Sequence, residues 1–451
     1  MSTPPRRPTS GAGTFGRFRA GIARLDETNT PWFWLALCAV AALVVTVVVA
    51  LLKDPPAREQ GELVIMSGRD DSAGGQRQVL IDEWNQRNPD NQARIIELSG
   101  LADQQRNEMV KHAQSGKSTV DIYNLDVTWI AEFAEVGYIK KLDENALDVS
   151  GFLERPLETC RYDGGLYALP FNTDAGLLYY RTDLVPLPPD SWDAIKNETQ
   201  QVLSEPHDPI LVAGYAAQLD NYEGLTVNAL EAIRAAGGEA VNDDGEVAID
   251  LSDFRTSQEG VDRLRPGARD PQIILPASLG HNEADTTRAF RDGEVLFMRN
   301  WPVAYRALDQ PTGVDSGAGP PPFAVTQLPG GSVLGGQNLA ISSSSTEAVA
   351  AQELIEFLTD GRSQQLLFER GGFAATREAV YRDPVVLARY EYAQELLKAI
   401  NGAIPRPSSA CYERFSEVFR NAVAEALRTG SPLPVGFSDQ LTSALSCRPL
   451  K

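Results

Sequence analysis

The chain has 451 residues, 43% hydrophobic and 23% charged, with 41 Lys and Arg against 61 Asp and Glu and a formal net charge of -20. That length exceeds the ~100–200 residues of one domain and the composition is that of a folded protein, so two globular units are expected. The negative charge repels phosphate backbones and anionic headgroups, which argues against nucleic acid and anionic lipid as partners. Three histidines in unrelated contexts, His112, His207 and His281, leave little material for a zinc centre or a Ser-His-Asp triad.

The N-terminal segment sets the topology. Residues 1–31 carry Arg6, Arg7, Arg17, Arg19 and Arg24 against Asp26 and Glu27. Trp32–Leu52 is an uncharged run of 21 residues broken only by Thr46, long enough to cross a hydrocarbon core of ~30 Å. The arginine excess on its N-terminal side puts the tail in the cytoplasm and everything after Leu52 outside, by the positive-inside rule. Val48-Val49-Ala50 offers small residues for signal peptidase, but the run is long for a cleaved signal, and an uncleaved anchor is expected. Cys38 follows Leu37 early in the run and so lacks the setting of a lipid-attachment cysteine. Residues 53–61, with DPPAREQG at 54–61, form a polar, proline-bearing linker.

Beyond the linker, strand and helix patterns alternate. Glu62–Met66 reads as a buried strand and Gly75–Arg87 as a helix stopped by Pro89. Ala93–Leu98 is a second strand, Leu101–Gln114 a second helix, Val120–Leu125 a third strand and Val127–Val136 a third helix ended by Gly137. Such alternation predicts a parallel sheet covered on both faces, with ligands bound beyond the carboxyl ends of the strands. Asp244-Gly245 predicts a hairpin within 237–251, and its acidic tip lacks the ligand spacing of a calcium loop. TGVDSGAGPPP at 312–322 is a surface loop. Ser342–Ser345 closes a strand, with Thr346 placed to cap a helix over Glu347–Leu358; there is no GxSxG elbow. Of the cysteines outside, Cys160, Cys411 and Cys447, at most one pair can bridge. Pairing Cys411 with Cys447 would close a loop worth ~3–4 kcal/mol in the chain-entropy model and leave Cys160 free.

Four stretches resemble a known family in order and spacing: DIYNLDVTWIAEFAEVGYIKKLD at 121–143, GLYALPFNTDAGLLYYRTDL at 165–184, AFRDGEVLFMRNWPVAY at 289–305, and LGGQNLAISSSSTEAVAAQELIEFLTDGRSQQL at 334–366. AIPRPSSACYERFSE at 403–417 is a fifth, looser match. The chain resembles the extracellular solute-binding proteins of ABC importers, of the maltose/trehalose-binding type (family 1). The resemblance implies an α/β, two-lobed periplasmic-binding-protein-like fold of type II with a hinge, here preceded by the transmembrane helix. The lobes are placed at 62–174 plus 323–355 and at 175–322 plus 356–451. It implies capture of a sugar between the lobes and delivery to ABC permease subunits, with no catalytic residue, metal or cofactor and a monomeric chain.

Sugars present hydroxyls at their edges and C–H patches on their faces, which suit charged hydrogen-bonding groups and flat rings respectively. The resemblance assigns hydroxyl binding to Asp126 and Asp174, with Asp70 and Asp71 as further candidates beside Arg69. Trp301 matches the family's stacking platform. Tyr222 and Glu223 stand where the second lobe contributes, Gly335 and Gly336 where backbone approaches the ligand, and Arg406 in a segment that adds a donor. Gln337 stands where relatives often carry an aromatic residue, which favours a mono- or disaccharide over a long oligosaccharide. Plainer readings are a core tryptophan for Trp301, a helix cap for Asp126 and a solvated turn for Asp70-Asp71. A membrane-anchored glycoside hydrolase using Asp126, Asp174 or Glu223, and a sugar sensor, are the rival functions.

Overall fold

The computed structural model describes residues 38–42, 61–115, 119–242, 247–248, 254–267, 272–309 and 320–449. The predicted span at 32–52 lies outside the described residues except for the helical residues 38–42, and no described helix is long and apolar enough to cross a membrane.

The first lobe is built on strands β1 (Leu63–Ser67), β2 (Ala93–Glu97), β3 (Ile122–Asp126), β4 (Ala168–Ala175) and β9 (Leu334–Ile341), in the order β2-β1-β3-β9-β4. β1 is parallel to β2 and β3, whereas β9 runs antiparallel between β3 and β4. β1 is buried at every position, as a central parallel strand covered on both faces must be. Helix α1 (Gln76–Arg87) buries Leu80, Ile81 and Trp84, and α2 (Ala102–Gln114) buries Met109. Helix α3 begins only at Ile130 and ends at Glu135. The predicted start at Val127 fails because Asp126 Oδ1 accepts from both the backbone N–H and the hydroxyl of Thr128, at 2.9 and 2.7 Å, closing a turn first.

At Gly176 the chain passes directly from β4 to the second sheet, β5 (Leu177–Arg181), β6 (Ala213–Ala216), β7 (Val295–Asn300) and β8 (Phe323–Gln327), ordered β8-β5-β7-β6. A β-carbon on Gly176 would lie 2.6 Å from Glu231 Oε1 and 2.8 Å from an Arg299 nitrogen, so the crossing needs glycine. Helices α4 (Glu223–Ala235) and α5 (Glu283–Arg291) pack on this sheet, α5 opened by a capping box of Asn282 and Asp285. Helix α6 (Ala348–Leu358) returns to the first lobe, while α7 (Tyr412–Thr429) and α8 (Phe437–Leu445) join the second. One core gathers Ile65, Trp84, Phe133 and Leu354, and another gathers Leu225, Phe297, Phe415 and Phe419.

Both lobe boundaries placed after residue 322 need correction. β8 pairs antiparallel with β5, Phe323 opposite Arg181, so it belongs to the second sheet rather than the first lobe. Leu358, Leu367 and Phe373 pack into the first core, so that lobe continues past 355. Ser345, not Thr346, serves the start of α6: its hydroxyl accepts from the Glu347 N–H at 3.2 Å and donates to Asp121 at 2.6 Å. Cys411 and Cys447 form a disulfide with Cα atoms 5.4 Å apart, and Cys160 is buried and free. Val241 and Val247 bridge antiparallel as the hairpin predicts; its tip, 243–246, lies outside the described residues, as does most of the 312–322 loop.

Candidate functional site

Between the sheets lies a cavity of about 640 Å³, within the ~300–1,000 Å³ usual for small-molecule sites. Its first-lobe wall comes from the ends of β3, β4 and β9. Gln337 is in register with Asp126 on one side and Asn172 on the other, and Gly335 is opposite Asp174, so strand alternation turns these residues to one face. The register shifts after Gln337, a bulge of the kind that re-aims side chains at sites. Gly336 has φ +124°, and a β-carbon there would lie 2.4 Å from the Asn172 carbonyl oxygen, so no other residue fits.

The second-lobe wall begins at the N-termini of α4 and α5 and at Trp301, just past β7. One face of the Trp301 ring is covered by the Arg299 guanidinium, 3.7 Å from the ring centroid, and Arg299 is itself paired with Glu231 at 2.8 Å. The indole N–H donates to Glu283 Oε1 at 3.3 Å, and the Tyr222 hydroxyl donates to Glu283 Oε2 at 2.7 Å. Glycine at 335 makes room for the ring: a β-carbon there would be 3.1 Å from Trp301 Cη2.

Arg406 joins the two walls. It donates to Glu223 Oε1 at 2.7 Å and to Asp126 Oδ1 at 3.1 Å, and its side chain is 2% exposed. Glu223 also accepts from the Tyr412 and Ser416 hydroxyls, each at 2.5 Å. Burial pushes the Glu223 carboxyl up, opposed by Arg406 and the two hydroxyls. Burial would lower the Arg406 guanidinium, but Asp126, Tyr412 and Glu223 outweigh it and raise its pKa. Asp174 has far less support. Enclosure by the cleft walls pushes its carboxyl up to about 7, Asp126 adding to the shift and Arg299, Arg77 and the Asn172 amide opposing it. Although part of its surface still faces the cavity, among the described residues it receives a single side-chain hydrogen bond, from Asn172 Nδ2 at 3.2 Å.

The cavity thus brings together Asp71, Asp126, Asp174, Tyr222, Glu223, Trp301, Gly335, Gly336, Gln337 and Arg406. Asp70 is not part of this lining. Its carboxylate accepts from the backbone N–H groups of Ser72 and Arg77 at 3.0 and 3.1 Å and shapes the entry to α1. Asp71 forms an exposed ion pair with Arg69 at 2.9 Å. Sequence reasoning missed Arg77, Asn172 and Glu283, which also line the cavity. Asn172 was findable, because it sits two residues before Asp174 on the same face of one strand. Arg77 and Glu283 enter from helix starts that only the fold brings to the cleft. Among the described residues, no group of three or more His, Cys, Asp or Glu side chains is placed to hold a metal ion.

Two lobes and a lined cleft between them define a solute-binding architecture, and the chain belongs to the bacterial extracellular solute-binding protein family, whose model matches residues 80–393. It is 28% identical over 329 residues to a probable ABC transporter-binding protein of Deinococcus radiodurans, spanning 69% of this chain and 76% of that one. Among solved structures, maltose-bound MalE3 of T. maritima aligns with a TM-score of 0.75 at 28% identity, over 86% of this chain and 99% of its own. The GacH receptor of Streptomyces glaucescens, solved unliganded and with acarbose, aligns with a TM-score of 0.70 at 22% identity, over 87% and 100%, and shares the fold.

Proposed function

We propose that the chain is the extracytoplasmic carbohydrate-binding subunit of an ABC importer, taking a mono- or disaccharide between its lobes and handing it to permease subunits in the membrane. The observation that carries this reading is the pairing of a row of hydrogen-bonding side chains, Asp126, Gln337 and Asn172, with the Trp301 ring across one cavity. Hydroxyl edges suit the row and a C–H face suits the ring. Family membership and the maltose found in one relative support it. In this reading residues 32–52 remain as an uncleaved single-pass anchor, the chain acts as a monomer, and no bond of the solute is broken.

Calorimetric titration of the full chain, in a detergent that carries no sugar headgroup, against maltose, trehalose and glucose is the test. Trp301→Ala should weaken the tightest of these by at least about tenfold while the protein stays folded, since loss of a desolvated aromatic contact is worth ~2 kcal/mol or more. Equal binding by the variant would make Trp301 a packing residue only. Release of glucose from maltose during the incubation would favour the hydrolase instead. Mass spectrometry of the native protein decides the anchor: a mature N-terminus near Leu51 would remove it.

A further inference from the structure

Gln337 has one end of its amide fixed from behind. Arg77, 5% exposed, donates from Nη2 to Gln337 Oε1 at 2.7 Å, and Asn124 Nδ2 donates to the same oxygen at 3.0 Å. A guanidinium can only donate, so the amide atom facing it must be the oxygen. Both lone pairs of Oε1 are then used, and both N–H groups of Nε2 are left with no protein partner among the described residues. Arg77 is in turn held from its other side. It donates from Nη1 to Ser67 Oγ and the Gly68 carbonyl at 2.9 and 3.1 Å and lies over the Phe373 ring at 4.9 Å.

We infer that Gln337 is a specificity-determining residue that presents a donor to the cleft, and that Arg77 is the positioning residue that makes it one. The inference rests on the sugar reading above and deepens it. In register beside Gln337 stands the Asp126 carboxylate, whose Oδ1 is taken by Thr128 and Arg406 but whose Oδ2 meets only Arg406 among the described residues, at 3.4 Å, and so keeps capacity to accept. A hydroxyl is the neutral group that accepts from one and donates to the other at the same time. The pair therefore selects for a hydroxyl at one ring position and against hydrogen or an ether there, because hydrogen leaves both partners unmatched and an ether leaves Asp126 without a donor.

Gln337→Glu separates this role from simple support of Arg77. The carboxylate keeps an acceptor for Arg77 and Asn124 but removes the donor and sets a second acceptor beside Asp126. Without sugar, the thermal midpoint of the full-chain variant should equal or exceed that of wild type, whereas Gln337→Met, which takes the shared acceptor away from Arg77 Nη2 and Asn124 Nδ2, should fall below it. Affinity for the tightest binder among maltose, trehalose and glucose should drop at least about tenfold in Gln337→Glu. Among monodeoxy derivatives of that sugar, one should bind wild type about tenfold more weakly than its parent, and the variant should no longer distinguish the two. A lowered midpoint in Gln337→Glu would overturn the amide orientation. Unchanged affinity with an unchanged deoxy profile would overturn the specificity role. If wild type bound none of the three sugars, the sugar reading and the hydroxyl assignment would fall together, while the sugar-free midpoints would still decide whether Arg77 orients the amide.

Discussion

The two walls of the cleft use their polar groups in opposite ways. On the second-lobe wall every acid is satisfied by protein: Glu223 by Arg406, Tyr412 and Ser416, and Glu283 by Tyr222 and the Trp301 indole. On the first-lobe wall, among the described residues, Asp174 has one weak amide partner, and Gln337, which lines the cavity, has no protein partner for its Nε2. The second wall is therefore a braced surface that presents a ring, while the first, apart from Asp126, which Thr128 and Arg406 already hold, keeps groups waiting for partners. Counting carboxylates in the sequence does not separate the two; unfilled hydrogen-bond capacity does, since a group already satisfied by protein gains little from a solute.

Arg406 is the point where the comparison is most easily broken. It neutralises Glu223 in one lobe and Asp126 in the other from a nearly buried position. Removing one partner of such a cluster leaves uncompensated buried charge, which typically costs ~3–5 kcal/mol. Arg406→Ala should therefore lower the free energy of unfolding by about that amount in a denaturant titration. A loss well under about 1 kcal/mol would mean that Glu223 is held well enough by its hydroxyls and that the walls are braced separately.

Asp174 sharpens the contrast through pH. Its folded carboxyl is raised to about 7, above an unfolded value of ~3.9. The folded state thus holds a proton that the unfolded state has released, and stability falls as pH rises from ~4 to about 7 and then levels off. A shift of that size corresponds to roughly 2–4 kcal/mol at most, discounted for the part of the carboxyl that faces the cavity. Asp174→Asn should remove this slope and leave the variant more stable than wild type at neutral pH. The same slope in wild type and variant would assign it to another group, for which Glu223, also raised by burial, is the first to examine.

The sequence made the first lobe legible because its strands and helices follow one another in local order, and the predicted ends fall within a few residues of those observed for β1, α1, β2 and α2. What it hid is long-range. The strand at Phe323–Gln327 has no mark of its own that says which sheet it joins; its pairing with β5 does. For the same reason the cleft residues were readable only in part. Asp126, Trp301 and Arg406 were placed by resemblance, but that Arg406 already occupies Asp126 follows from a contact 280 residues apart. Arg77 looks in sequence like any polar residue in a helix's first turn. Its burial against Phe373 and its hold on Gln337 exist only once α1 and β9 meet.

The smallest effect expected concerns a contact between lobes at the edge of the cleft. Asp103 on α2, in the first lobe, pairs with Arg420 on α7, in the second, at 3.1 Å. Arg420 also meets Ser416 at 3.2 Å and Glu413 at 3.4 Å, so it is held in place from its own helix. The Glu413 carboxyl is raised by burial and by the nearby Asp103, which marks two acids competing for one cation. Ion pairs with partial exposure contribute ~0.2–1 kcal/mol, and this one can form only while the lobes stand as they do here. Its contribution should consequently appear in the closure equilibrium more than in the stability of either lobe. Asp103→Asn should weaken sugar affinity by no more than about fivefold and reduce the loss of affinity on adding salt, because screening acts on a pair the variant lacks. A double-mutant cycle with Arg420→Gln, read by calorimetry at low and high salt, isolates the pair from Glu413. Additive effects on affinity would show that the contact spans the lobes without biasing how they close, and would leave Arg406 as the tie between the two walls.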